Sequence, residues 1–166
     1  MKLEKKDVAL NEINLGIMKN TPPSEEKMER YENYFRRTGA FAHAIVVDEK
    51  NVVKDGYVTY LLAKRFHLIP EVVEVKAEES FYKVVQGFHV RFEDGAYVSC
   101  SEMKYIWIYD KKSPVVPGDI LIVDTRYGDA LICVSEIFYL TGKAESSSHK
   151  KVKRHIREIY DRRKKK

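Results

Sequence analysis

At 166 residues, with 44% hydrophobic side chains and a formal net charge of +5, the chain fits one or two small domains and is too apolar to be disordered throughout. Its two cysteines, Cys100 and Cys133, have no CxxC spacing, so both read as reduced thiols of a cytoplasmic protein. No apolar leader opens the sequence, and no run nears the roughly eighteen apolar residues of a membrane span. The charge is unevenly placed. From Ser148 to Lys166 ten basic residues stand against two acidic ones, a net of +8, while the preceding chain holds 20 basic and 23 acidic residues, a net of −3.

In chain order, Val8-Ala9-Leu10 reads as a first strand with Ile13 packing after it. Asn20-Thr21-Pro22-Pro23-Ser24 is a helix-entry signal, with Thr21 or Ser24 as cap and Pro22 suited to a first helical position. Met28, Tyr31 and Phe35 make the inward stripe of that helix, Arg36 and Arg37 complement its last turn, and Gly39 closes it. Ile45-Val46-Val47 is a β-branched run suited to a buried strand, and Val52-Val53 returns after the polar turn 48–51. Asp55-Gly56 then opens a helix whose apolar stripe is Val58, Leu61, Leu62 and Phe66. Pro70 is expected to stop it, and Val72, Val73 and Val75 supply the next strand. Asp55-Gly56 has two readings: a turn with Asp55 as N-cap, or an anion site built on the free N–H groups of the helix start.

These residues, IVVDEKNVVKDGYVTYLLAKRFHLIPEVVEV, resemble the core of the ParB/sulfiredoxin-like superfamily, especially the short ParB-like nuclease-domain proteins. Their pattern is an apolar strand, Asp-Gly-x-x-Arg opening a helix with paired alanines, then Val-Pro-Val. The resemblance covers residues 8–75 and implies a small α/β domain, a nucleotide or phosphate at the Gly-x-x-Arg box, and a role in DNA binding or partitioning. The box here is Gly56-Tyr57-Val58-Thr59. Thr59 stands where the family has its arginine, so a bidentate phosphate donor is missing. Tyr57 stands where sulfiredoxin chemistry needs a cysteine.

After the polar linker 76–80 the pattern becomes all-β. Tyr82 to Phe92 alternates with period two, and Lys83, Val85, Gly87, His89 and Arg91 form its mostly polar face. Asp94-Gly95 is a hairpin turn, and Tyr97 to Cys100, Tyr105 to Tyr109, Ile120 to Asp124 and Ala130 to Phe138 are further strands. Five short strands predict a small barrel or tightly curled sheet. Gly118-Asp119, an apolar run ending Val123-Asp124-Thr125, and a glycine turn at Gly128 resemble an uncharacterised small β-domain of bacterial and phage proteins, often found behind a ParB-like domain. His89, Arg91 and Lys83 share a face, and with Tyr105 or Trp107 they could form a stacking and phosphate surface. From Ser146 a serine run leads into Val152, Ile156, Ile159 and Tyr160, the stripe of a strongly basic helix.

The expected fold class is therefore α+β: a small ParB-like α/β domain (1–76), a five-stranded β-barrel-like domain (81–142) and a basic C-terminal tail or helix (146–166). The expected function is a non-enzymatic regulator or inhibitor of phage or mobile-element origin that binds nucleic acid or a nucleoprotein complex. Its contact residues are Lys150, Lys151, Lys153, Arg154, Arg157, Arg162, Arg163, Lys164, Lys165 and Lys166. The alternative is a ParB-like nucleotide-binding enzyme or nuclease with a site at Asp55, Gly56, Tyr57 and Thr59. No catalytic set, metal site or cofactor is expected: His43, His67, His89, His149 and His155 lack ligand spacing, and no HExxH, phosphate loop or nucleophile elbow occurs. No membrane partner is expected. Exposed sheet edges and the tail's apolar stripe allow a homodimer.

Overall fold

The computed structural model describes residues 1–157 and shows a mixed α+β chain with two α-helices and two sheets. It divides into two compact units. The first comprises Met1–Phe81 with Tyr139–Gly142, and the second comprises Tyr82–Phe138 with the chain from Lys143 onward.

In the first unit a four-stranded sheet has the order β1 (Glu4–Lys5), β4 (Val72–Glu74), β2 (Ile45–Val47), β3 (Val53–Asp55). β2 and β4 run parallel, and β2 and β3 form an antiparallel hairpin. The strand β2 is central and covered on both faces, which explains its unbroken β-branched run. Ile45 and Val47 pack with Ile13, Val53, Tyr60 and Val72, whereas Val46 packs with Leu3, Val73, Val75 and Tyr139. The hairpin turn is fixed by Asp48, whose Oδ1 accepts the N–H groups of Lys50 at 2.9 Å and Val52 at 3.0 Å. Burial pushes the Asp48 carboxyl up, but these two amides and the Lys54 ammonium outweigh it and hold the group below its usual range.

Helix α1 spans Glu25–Thr38 and is capped by Ser24, whose hydroxyl accepts the Lys27 N–H, and by Gly39 in the left-handed region. Pro22 lies outside the helix. Helix α2 spans Tyr57–Phe66. The two helices meet through stacked Phe35 and Phe66 rings, 4.9 Å between centroids, with the Arg36 guanidinium 5.3 Å from the Phe66 ring and an ion pair between Arg65 and Glu32. His67, in the left-handed region, ends α2, not Pro70. The first strand is also not where the apolar triplet placed it. The chain forms a 3-10 turn at Leu10–Glu12, and Val8, Leu10 and Ile13 anchor it in the core while the polar pair Glu4–Lys5 makes the edge strand.

In the second unit the sheet order is β10 (Val152–His155), β8 (Ile120–Thr125), β9 (Gly128–Thr141), β5 (Phe81–Glu93), β6 (Ala96–Ser99), with β7 (Tyr105–Ile108) also on β5. Six strands replace the five expected, and among the described residues they do not close into a barrel. Only one parallel bridge, Ile108 to Lys151, joins β7 to the start of β10. The core holds Val85, Trp107, Tyr109, Val115, Leu121, Val123, Ile132, Val134, Ile137 and Val152. The face of β5 expected to be polar turns inward: Val85 is fully buried, and a Cβ on Gly87 would lie 2.5 Å from the Cys133 carbonyl oxygen.

The sixth strand corrects the expected basic helix at its start. Val152–His155 is extended and pairs antiparallel with β8, because Val152, 1% exposed, completes the core and His155 reaches the Asp119 carboxylate. Only Ile156 and Arg157 turn helical, and the expected helix beyond them lies outside the described residues. Neither α-helix is long and apolar enough to cross a membrane.

Candidate functional site

Two places gather chemistry. The first is a cavity of about 170 Å3 in the first unit, lined by Met18, Thr21, Pro23, Lys27, Tyr31, His43, Asp55, Gly56, Tyr57 and Val58. Gly56 is the N-cap of α2 at φ 91°, and a Cβ there would lie 2.8 Å from both the Ala44 carbonyl oxygen and Ile45 Cα. Asp55 is therefore the last residue of β3 and not the cap. Its Oδ1 accepts the Gly56 N–H at 2.9 Å, and its Oδ2 accepts the Tyr139 hydroxyl at 2.7 Å.

Tyr139 ties this carboxylate to His43. The phenol oxygen lies 3.0 Å from His43 Nδ1, and the same Nδ1 lies 3.0 Å from the Ala44 carbonyl. Tyr139 has one proton and gives it to Asp55, so its oxygen faces His43 as an acceptor. With two acceptors before it, Nδ1 carries the imidazole proton. Burial pushes the Tyr139 phenol well above its ordinary value near 10, and the Asp55 charge adds to this, so the hydroxyl stays protonated. Sequence reasoning did not find this Asp55–Tyr139–His43 chain, because 84 residues separate Tyr139 from Asp55.

The candidate nucleotide residues do not act as one set. Gly56, Asp55 and Tyr57 line the cavity, but Thr59 is 3% exposed and donates its hydroxyl to the His43 carbonyl at 3.1 Å. It is a packing residue beneath the helix start, where a long cationic side chain has no room. The Asp55 carboxylate at the cavity wall opposes an anion, and Lys27 on α1 brings the compensating positive charge.

The second place is the basic C-terminal strand. Lys150, Lys151, Lys153 and Arg154 are exposed, and Arg157 is half-buried. Lys151 pairs with Asp110 at 3.1 Å and Lys153 with Asp129 at 2.6 Å. The hydrogen bond and charge of Asp129 raise the Lys153 ammonium above its usual value. Arg162, Arg163, Lys164, Lys165 and Lys166 lie outside the described residues. The strand is held down by His155, 4% exposed, whose Nε2 lies 2.9 Å from Asp119 Oδ2. Its Nδ1 accepts the Arg157 N–H at 3.2 Å, so Nε2 is the nitrogen that carries the ring proton beside the carboxylate. Asp119 also accepts the Val116 N–H at 3.0 Å. Burial, with the Asp119 charge as a second cause, pushes the nearby Cys133 thiol up and keeps it protonated, the opposite of an activated nucleophile. Among the described residues no three His, Cys, Asp or Glu side chains gather as a metal site.

Comparison with known proteins reaches the second unit and the Phe81 and Tyr139–Gly142 parts of the first. No curated protein and no solved structure matches the chain. Residues 81–162 match the model of a family described as "Family of unknown function (DUF5839)", a span that starts at the first residue of β5 and takes in every strand of the second sheet.

Proposed function

We propose that the protein is a non-enzymatic binding module that grips nucleic acid, alone or within a nucleoprotein complex, through its basic carboxyl-terminal segment. The observation that carries this reading is the charge separation, +8 from Ser148 onward against −3 for the rest of the chain. The strand β10 supports it, because the buried Val152 and His155 fix the start of that segment while Lys153 and Arg154 stand outward. Cations on a fixed strand followed by a further cationic run release counterions from a polyanion with a modest ordering cost. The ParB-like resemblance of residues 8–75 points to the same class of cytoplasmic DNA-associated protein.

The test must leave the fold intact. Removing residues from 149 onward would take Val152 and His155 out of the second sheet. The informative variant therefore replaces Arg162, Arg163, Lys164, Lys165 and Lys166 together with glutamine. Its affinity for DNA or RNA oligonucleotides at low salt is expected to fall about tenfold or more, with a shallower dependence on salt. Equal affinity of variant and wild type in a gel-shift titration overturns the reading.

A second reading is a ParB-like nucleotide-binding or nucleotide-hydrolysing protein using the cavity at Gly56. The favouring observation is the cavity itself, set against the start of α2. Thr59 in place of arginine weighs against it. Calorimetric binding of CTP or ATP that is lost in Gly56→Glu, with the fold retained, would favour this reading over the first.

A further inference from the structure

The second unit places its exposed apolar side chains unlike an ordinary small sheet. Among the described residues its large exposed hydrophobic side chains are Phe92, Tyr97, Met103, Tyr105 and Tyr127, four rings and a methionine with no branched aliphatic among them. The aliphatic side chains of the core share it with Trp107 and Tyr109, while these other rings face solvent.

Of these rings, Tyr105 is held in place by its neighbours. Tyr105 opens β7 opposite Gly87, and Trp107 stands two residues on, opposite Val85. His89 lies 5.6 Å from both the Tyr105 and Trp107 rings, and Tyr105 lies 6.1 Å from Trp107. Trp107 is 5% exposed and anchors the cluster, while Tyr105 is 43% exposed and faces solvent. The indole N–H of Trp107 donates to the Asp124 carbonyl at 3.4 Å. Asp124 pairs with Asp129 at the base of the β8–β9 turn, and that turn carries Tyr127, 83% exposed, under the Arg126 guanidinium at 4.7 Å from its ring. Lys153 of β10 reaches the same turn through Asp129. One end of the second sheet therefore holds two outward tyrosines, a histidine, an arginine and the first cations of the basic strand.

We infer that this end of the second sheet is a stacking platform for a single-stranded nucleic acid, with unpaired bases laid on Tyr105 and Tyr127 and the phosphates drawn by Arg126, Lys153 and the cations that follow. This deepens the proposed function and rests on it. The chemistry selects a single strand. An exposed ring offers a π-face to a base only when that base is not stacked between its duplex neighbours, and every base has such a face, so contact does not depend on sequence. Tyr105, held against His89 and Trp107, loses little freedom when a base arrives. Some local charge is already balanced, Lys153 by Asp129 and Arg91 by Glu93, so the platform contributes stacking and the carboxyl-terminal run contributes most of the electrostatic attraction.

Trp107 is the chain's single tryptophan and sits in the cluster, so its fluorescence reports occupancy directly. The full-length protein is titrated with an oligothymidylate, with a duplex of equal length, and with an abasic deoxyribose-phosphate chain of equal charge. The wild type is expected to bind oligothymidylate tightest, with a change in Trp107 emission, and the abasic chain about tenfold or more weakly. Tyr127→Ala, at a position so exposed that folding is untouched, and Tyr105→Leu are each expected to weaken oligothymidylate binding about fivefold to tenfold while leaving the salt slope unchanged. The glutamine replacements at residues 162–166 lower the slope instead. Both tyrosine variants binding like wild type, or the abasic chain binding as well as oligothymidylate, overturns the platform and leaves the carboxyl-terminal reading standing. No binding of any of the three probes at low salt overturns both.

Discussion

Replacing Gly56 with alanine tests the geometry of the cavity wall. Two separable effects follow from that one methyl group. At φ 91° an L-residue is strained by about 1–2 kcal/mol. The new Cβ would also lie 2.8 Å from the Ala44 oxygen and Ile45 Cα, which are backbone atoms of the loop entering β2 and cannot rotate away. Forcing a methyl into such a contact costs about 1–3 kcal/mol more. The sum, about 2–5 kcal/mol, is a large share of a small unit's stability. Gly39→Ala is the matched control, since Gly39 also has positive φ (75°) but nothing lies within 4 Å of its Cβ position, so only the conformational part remains. Both α-helices belong to the first unit, so urea denaturation followed by circular dichroism at 222 nm reports on it, while Trp107 fluorescence follows the second. A loss in Gly56→Ala no larger than in Gly39→Ala refutes the close approach of α2 to β2.

Three further outcomes follow from the buried polar groups. Tyr139→Phe is expected to lower stability by about 1–3 kcal/mol near neutral pH, because Asp55 and His43 lose a shared partner. It should also change the alkaline limb. A phenol raised in the folded state leaves stability unchanged below the unfolded value near 10 and lowers it as pH rises from there towards the folded value, at about 1.4 kcal/mol per pH unit. Urea midpoints measured from pH 8 to 11 should therefore fall less steeply in Tyr139→Phe, and an identical slope refutes the assignment. Asp119→Ala strands the buried His155 and an amide of the 116–119 turn, and about 1–3 kcal/mol should be lost from the Trp107 transition. A change below 1 kcal/mol in that transition would show that β10 does not depend on this contact. Thr59→Arg should destabilise the first unit by about 3 kcal/mol or more because the position is buried. A stable Thr59→Arg protein that gains CTP binding in calorimetry would contradict the packing role.

Local signals carried well wherever one element could be judged alone. Ser24, Gly39 and the Tyr31 stripe announced α1, and the Ile45–Val47 run announced a strand covered on both sides. The Val58–Leu62 spacing announced α2. What the sequence hid depended on distant partners. The edge strand Glu4–Lys5 has no apolar pattern, because its place comes from backbone pairing with Val73 and Glu74. The segment 152–155 has helical spacing and a helical composition, yet an open edge on β8 and a carboxylate for His155 decide for a strand. The inward turn of the β5 face was hidden because Gly87 reads as neither apolar nor polar; it marks contact with the Cys133 carbonyl. In the cavity, Asp55 and Gly56 were visible as a dipeptide, but Tyr139 was not, since nothing near it in the chain hints at a carboxylate partner. Thr59 gave no sign in the sequence of being buried with its hydroxyl on the His43 carbonyl, a contact made across sixteen residues.

The first unit borrows Tyr139–Gly142 from the far end of β9. A cut in the linker near residue 80 would thus release an amino-terminal fragment whose Asp55 and His43 face an empty place where a phenol belongs. Genetic exchange that shuffles domains at such linkers would leave the amino-terminal product incomplete. The architecture favours inheritance of the whole chain, and attempts to graft either half onto another protein should carry residues 139–142 along.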